Sequence, residues 1–167
     1  MHEYANFSKM FPPKNIGTDR ALQKIRQYCA YQERNHKEVK EKLYSFGLYA
    51  DEVNSVLSQL IQENYLNEER YAVALAGGKF RMKGWGKQKI KYALKQQQVS
   101  DYCIKKALAS IDEDDYLAKL LELVNEKART LRSEKNDFVK KKKIFSFLLQ
   151  RGFESDKINE CLQSNKI

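Results

Sequence analysis

Residues 39–57 read VKEKLYSFGLYADEVNSVL, and the apolar positions in this stretch decide the fold. Val39, Leu43 and Phe46 fall at helical spacing and stop at Gly47, a residue suited to the left-handed position just past a helix C-terminus. Beyond that turn, Val53, Val56, Leu57, Leu60 and Ile61 make another short stripe. Upstream, Thr18 and Asp19 open a stretch that puts Leu22, Ile25, Tyr28 and Cys29 on one face. Three short helices joined by tight turns are predicted.

The pattern then returns twice. Residues 90–108 read IKYALKQQQVSDYCIKKAL and residues 144–162 read IFSFLLQRGFESDKINECL. A shift of 51 takes Ala21 to Ala72, Val39 to Ile90, Leu43 to Leu94, Leu48 to Val99, Val53 to Ile104 and Leu57 to Leu108. A further shift of 54 takes these last five to Ile144, Leu148, Phe153, Ile158 and Leu162, and Gly47 reappears as Gly152. Apolar positions agree while surface charges do not, which is the mark of a tandem repeat. The expectation is an all-α chain of three tandem three-helix repeats forming an elongated, curved array. Its units are 18–63, 64–110 and 111–167, after a flexible N-terminal tail over 1–17. Asn67 is the predicted N-cap of the second unit, with Glu68 and Glu69 complementing the helix dipole, and Asp112–Asp115 play the same part in the third. Tyr and Phe residues at helical spacing are expected in the core.

Composition limits what such a chain does. Its 167 residues are 42% hydrophobic and 11% aromatic, enough for a core, while 32% charge leaves no apolar run long enough to span a bilayer. Met1–Gly17 lacks the apolar run of a signal peptide, so a cytoplasmic protein is expected. Cys29, Cys103 and Cys161 are odd in number, far apart and outside any CxxC pair, and read as reduced packed thiols. Asp112–Asp115 read as capping rather than a metal site, and no cofactor is expected. GxxxxGK[ST], HExxH and GxSxG are all absent, and His2 and His36 are poor material for a nucleophile–base pair. A non-enzyme is predicted.

The net charge of +9 is unevenly spread. Residues 1–78 hold ten basic and ten acidic side chains, whereas 79–106 hold nine basic and one acidic. Residues 111–126 are acidic by six to one, 127–143 basic by eight to two, and 144–167 balanced. Concentrated basic blocks are the footprint of a polyanion or of an acidic protein face. Phe80, Trp85 and Tyr92, in the first block, are candidates for stacking on bases.

Within these blocks, Lys87, Lys91 and Lys95 share one helical stripe, flanked by Lys79, Arg81, Lys83 and Lys89. The seven bases from Lys79 to Lys95 meet no acid in that segment, so local i,i+4 pairing does not account for them. Lys140, Lys141, Lys142 and Lys143 occupy the equivalent helix start of the third unit, with Lys141 the counterpart of Lys87. The first unit carries a balanced face at His36, Lys37, Glu38, Lys40, Glu41 and Lys42, which suits a structural or protein-contacting end. Trp85, between Gly84 and Gly86, either packs in its turn or presents its ring to a ligand.

The run Leu66-Asn67-Glu68-Glu69-Arg70-Tyr71-Ala72, followed by Lys83-Gly84-Trp85-Gly86-Lys87-Gln88-Lys89-Ile90, resembles the RecX family of bacterial regulatory proteins. Tyr44-Ser45-Phe46-Gly47-Leu48 and Leu149-Gln150-Arg151-Gly152-Phe153 are similar to that family's second-helix endings. Two positions depart from the pattern: Asn67 replaces the usual acid, and Lys87 the usual proline. The resemblance implies a modulator of the RecA recombinase; a monomer is expected. Such a protein binds the RecA–single-stranded-DNA filament in its groove and restrains ATP hydrolysis, strand exchange and co-protease activity. Single-stranded DNA, and secondarily double-stranded DNA, are then ligands alongside RecA, with no membrane involved. The DNA- or filament-binding set expected from the basic blocks is Lys79, Arg81, Lys83, Trp85, Lys87, Lys89, Lys91, Lys95 and Lys140 to Lys143. The alternative is a stand-alone helical DNA-binding protein or transcriptional regulator, since three-helix units resemble helix-turn-helix elements.

Overall fold

The computed structural model describes residues 13–164, and among them nine α-helices and no strand form. These are α1 (Thr18–Tyr31), α2 (His36–Ser45), α3 (Ala50–Gln62), α4 (Glu68–Lys83), α5 (Lys87–Gln96), α6 (Asp101–Ala109), α7 (Glu113–Thr130), α8 (Asp137–Gln150) and α9 (Ser155–Ser164). They succeed one another as three helical triplets, as the periods of 51 and 54 predict.

Helix starts follow the side chains that cap them. Asn35 accepts from Glu38 N at 2.7 Å while Glu38 Oε2 accepts from Asn35 N at 3.0 Å, a reciprocal capping box. Asn67 Oδ1 accepts from Arg70 N at 2.9 Å, so the residue that replaces an acid still caps α4. Asp112 Oδ1 accepts from Asp114 N and Asp115 N at 2.9 and 3.0 Å, which accounts for two members of the acidic run.

The chain divides into two compact units after Tyr71, inside α4. In the unit ending at Tyr71, Ala21, Ile25, Val39, Leu43, Val53, Val56 and Leu60 form the core of α1–α3. Ile61, read as part of that stripe, is 49% exposed. Residues 1–12 and 165–167 lie outside the described residues, so most of the expected tail does too. Pro13–Gly17 is docked: Ile16 N donates to Phe46 O at 3.2 Å and Asn15 Nδ2 to Glu52 Oε2 at 2.8 Å. Burial pushes the Cys29 thiol up to about 11, which keeps it protonated. No disulfide joins the three cysteines.

In the unit from Ala72 onward, Ile90, Leu94, Ile104, Tyr116, Leu120, Ile144, Leu148, Phe153 and Ile158 are all buried. The turn after α5 puts Gln98 at φ 59°, where the first and third triplets have Gly47 and Gly152 at 80° and 88°. The aromatic expectation is corrected. Tyr71, Phe80, Tyr116 and Phe153 are buried, but Tyr31, Tyr49, Tyr92, Tyr102 and Phe138 are each more than 60% exposed. Helical spacing places them on a face without saying that the face is covered.

Candidate nucleic-acid interface

The basic segment is held by backbone contact. After α4 ends at Lys83, Gly86 N donates to Arg151 O at 2.8 Å and Gln88 N to Gly152 O at 3.0 Å. These bonds lay the α4–α5 turn against the α8–α9 turn. The approach excludes side chains, since a Cβ on Gly152 would stand 2.3 Å from Lys89 Cβ. Arg151 Nη1 closes the joint by donating to Lys83 O at 2.7 Å.

Tyr116 lies beneath it, fully buried, its ring centroid 5.8 Å from Phe80 and 5.1 Å from Phe153. Its hydroxyl donates to Glu154 Oε2 at 2.6 Å and accepts from Lys87 N at 3.0 Å. Burial, and then the Glu154 carboxylate, push the phenol well above its ordinary range. Proline at position 87 would have no N–H to give, so the departure from the family pattern supplies this bond. Phe80, a candidate for stacking on bases, is only 6% exposed and is part of this joint. Its ring packs on Tyr116 and leaves no open face for stacking on a base.

Lys87 also differs from its neighbours on the stripe. Its Nζ sits 2.8 Å from Glu113 Oε2 and 4.6 Å from the Tyr116 ring centre, and its side chain is 19% exposed. The other Glu113 oxygen accepts from Lys157. Hydrogen bonds from Lys157 and then Lys87 draw the Glu113 carboxyl down to about 2. The reading that these bases meet no acid is thus corrected: the acid comes from 26 residues further along the chain. Lys95 pairs with Asp101 at 3.6 Å, an exposed contact of little energetic weight.

The rest of the segment faces outward. Lys79 Nζ and Lys89 Nζ lie 5.0 and 4.8 Å from the centre of the half-buried Trp85 ring, within cation–π range. Arg81, Lys83, Lys91 and Lys95 are exposed, as is Tyr92. On α8, Lys140 is half-buried and Lys141, Lys142 and Lys143 are exposed, with Lys143 Nζ 2.8 Å from Glu134 Oε2. Among the described residues, Lys79, Arg81, Lys83, Lys89, Lys91 and Lys140 to Lys142 enter no ion pair. The two basic groups meet α8 at different heights, since Lys89 Nζ donates to Gln150 O at 3.2 Å. That carbonyl is seven residues past Lys143, about 10 Å along the axis.

Two cations escaped the sequence reading. Lys127 and Arg151 approach the Phe147 ring at 5.3 and 4.8 Å, and Lys127 lines a groove with Lys142 and Lys143. The signal for Lys127 was its place in the 127–143 basic block. Arg151 stands outside both blocks. Among the described residues no cluster of His, Cys, Asp or Glu fits a metal ion, and no helix is long and apolar enough to cross a membrane.

Comparison with known proteins agrees with this architecture. Family models described as the second and third three-helix domains of RecX match residues 67–108 and 113–162. "Regulatory protein RecX" of Clostridium perfringens strain 13 is 31% identical over 131 residues, 78% of this chain and 61% of that protein. The chain therefore spans about three fifths of the length of this relative. The protein of the same name from Chlorobium phaeobacteroides is 30% identical over 130 residues, 78% of this chain and 83% of its own length. The crystal structure of RecX from Lactobacillus salivarius superposes with a TM-score of 0.81 at 25% identity, covering 88% of this chain and 95% of that one. With two domain models matched in order and a relative of comparable length at this identity, the chain belongs to the RecX family of regulatory proteins.

Proposed function

We propose that this protein regulates the RecA recombinase by binding the RecA–single-stranded-DNA filament and restraining its ATPase, strand-exchange and co-protease activities. The observation that carries the reading is the cluster of Lys79 of α4 and Lys89 of α5 over Trp85, which lies in the turn between them, clamped by Gly86 and Gly152. Its cations are free of ion pairs among the described residues, and Lys89 Nζ is held by the Gln150 carbonyl, so a phosphate would displace no carboxylate. Lys91, Lys141 and Lys142 extend the basic surface, and each phosphate contact releases counterions. Lys87 serves differently, as a positioning residue that ties the turn to Glu113 and Tyr116. Residues 64–110 and 111–167 are the ligand-bearing repeats, and 18–63 is a charge-balanced end suited to structure or protein contact. The role is one of binding and not of catalysis, in the cytoplasm.

The test compares wild-type affinity for RecA-coated single-stranded DNA with affinity for naked single- and double-stranded DNA. Tighter binding to the filament is the expected result. Equal affinity for naked DNA with no effect on RecA assigns the protein to stand-alone DNA binding. Replacing Lys79, Lys89 and Lys91 by Ala should lower the salt slope on single strands by about 2, at roughly 0.7 per phosphate contact.

A further inference from the structure

We propose that the groove between α8 and α9 is a base-binding subsite for single-stranded nucleic acid, a proposal that rests on the reading of DNA as a ligand. Helix α8 buries Ile144 and Leu148 on its inner side, yet Phe138 on its first turn is 76% exposed and serves no core. Phe138 lines a groove of about 420 Å³ whose apolar floor is Phe145 and Leu162. That volume lies in the range of small-ligand sites. Lys141 and Lys142 stand on the rim, exposed and without ion pairs among the described residues.

Asn159 and Gln163 of α9, both exposed and both bearing side-chain amides, complete the lining. Each part matches one part of a nucleotide. An open aromatic face stacks on any base, a lysine rim neutralises phosphate, and an amide offers a donor and an acceptor to a base edge. An acidic peptide would use the lysines and the rings. Its backbone N–H and C=O groups would serve the amides too, so what separates the two ligands is the flat stacking face that every base carries and an acidic side chain lacks. Duplex DNA keeps its bases stacked inside the helix, so the ring would have nothing to stack on. The groove therefore selects unpaired strands.

The experiment uses the full chain with three probes at one salt concentration: an oligo-dT strand, an abasic strand of the same length, and a duplex. Phe138→Ala should weaken oligo-dT binding roughly 5- to 150-fold. It should leave the abasic strand, the duplex and the salt slope unchanged, and Phe138→Trp should restore the loss. Lys141→Ala with Lys142→Ala should instead lower the salt slope by about 1.4 on both single strands. Wild-type protein that binds oligo-dT no better than the abasic strand overturns the subsite. So does a Phe138→Ala variant equal to wild type on oligo-dT, and both results leave the proposed function standing. A loss shared by all three probes is not specific to bases and overturns the subsite as well. Wild-type protein that binds none of the probes and no RecA filament removes the proposed function as well.

Discussion

A Cβ placed on Gly86 would stand 2.2 Å from the carbonyl oxygen of Gly152, well inside contact distance. The two glycines meet backbone to backbone, although they are far apart in the chain. Gly86 has an ordinary φ of −76°, so its requirement is the close approach alone.

Gly86→Ala should therefore destabilise the protein by about 1–3 kcal/mol, the usual cost of overpacking. Gly78, inside α4, has nothing within 4 Å of where its Cβ would be. Gly78→Ala should stabilise by about 0.5–1 kcal/mol through helix propensity. Urea denaturation of both variants checks the pair, and like signs would refute the assigned contact.

Tyr116 supports the same joint from below. Tyr116→Phe keeps the buried ring but leaves the Lys87 N–H and a Glu154 oxygen without their partner. A loss of about 1–3 kcal/mol is expected, with helicity by circular dichroism unchanged. Thermal melts that match wild type would show the hydroxyl to be dispensable.

Glu113 gives the joint a pH dependence. Lys157 and Lys87 favour its carboxylate, so its folded value of about 2 lies below the ordinary one of about 4.3. Its contribution is complete above the ordinary value, declines as pH falls through it, and is gone near 2. The group is 49% exposed, so solvent screening keeps the effect small. The urea-midpoint gap between wild type and Glu113→Gln should be constant from pH 7 to 5 and close as pH falls from there toward 2. A gap that widens on acidification would contradict the ion pairs.

Much of the fold was legible because apolar spacing and caps are local signals. Val39, Ile90 and Ile144 share one buried position, and Asn67 and Asp112 cap the helices that they precede. The site was legible as a basic segment but not in its wiring. Lys87 finds its acid 26 residues away, across a turn whose docking no i,i+4 rule describes. Phe80 and Phe138 look alike in sequence, each an aromatic within a basic stretch. Tyr116 packs on the first, which is 6% exposed, while the second is 76% exposed, a difference that only tertiary packing decides.

The central claim is regulation of RecA through the clamped basic turn, and ATP hydrolysis by a preformed RecA filament on single-stranded DNA tests it most directly. Wild-type protein should slow hydrolysis, and the Lys79→Ala, Lys89→Ala, Lys91→Ala variant, with its circular dichroism unchanged, should slow it markedly less. A wild-type protein without effect on the rate, or a triple variant that inhibits at full strength, would contradict the account.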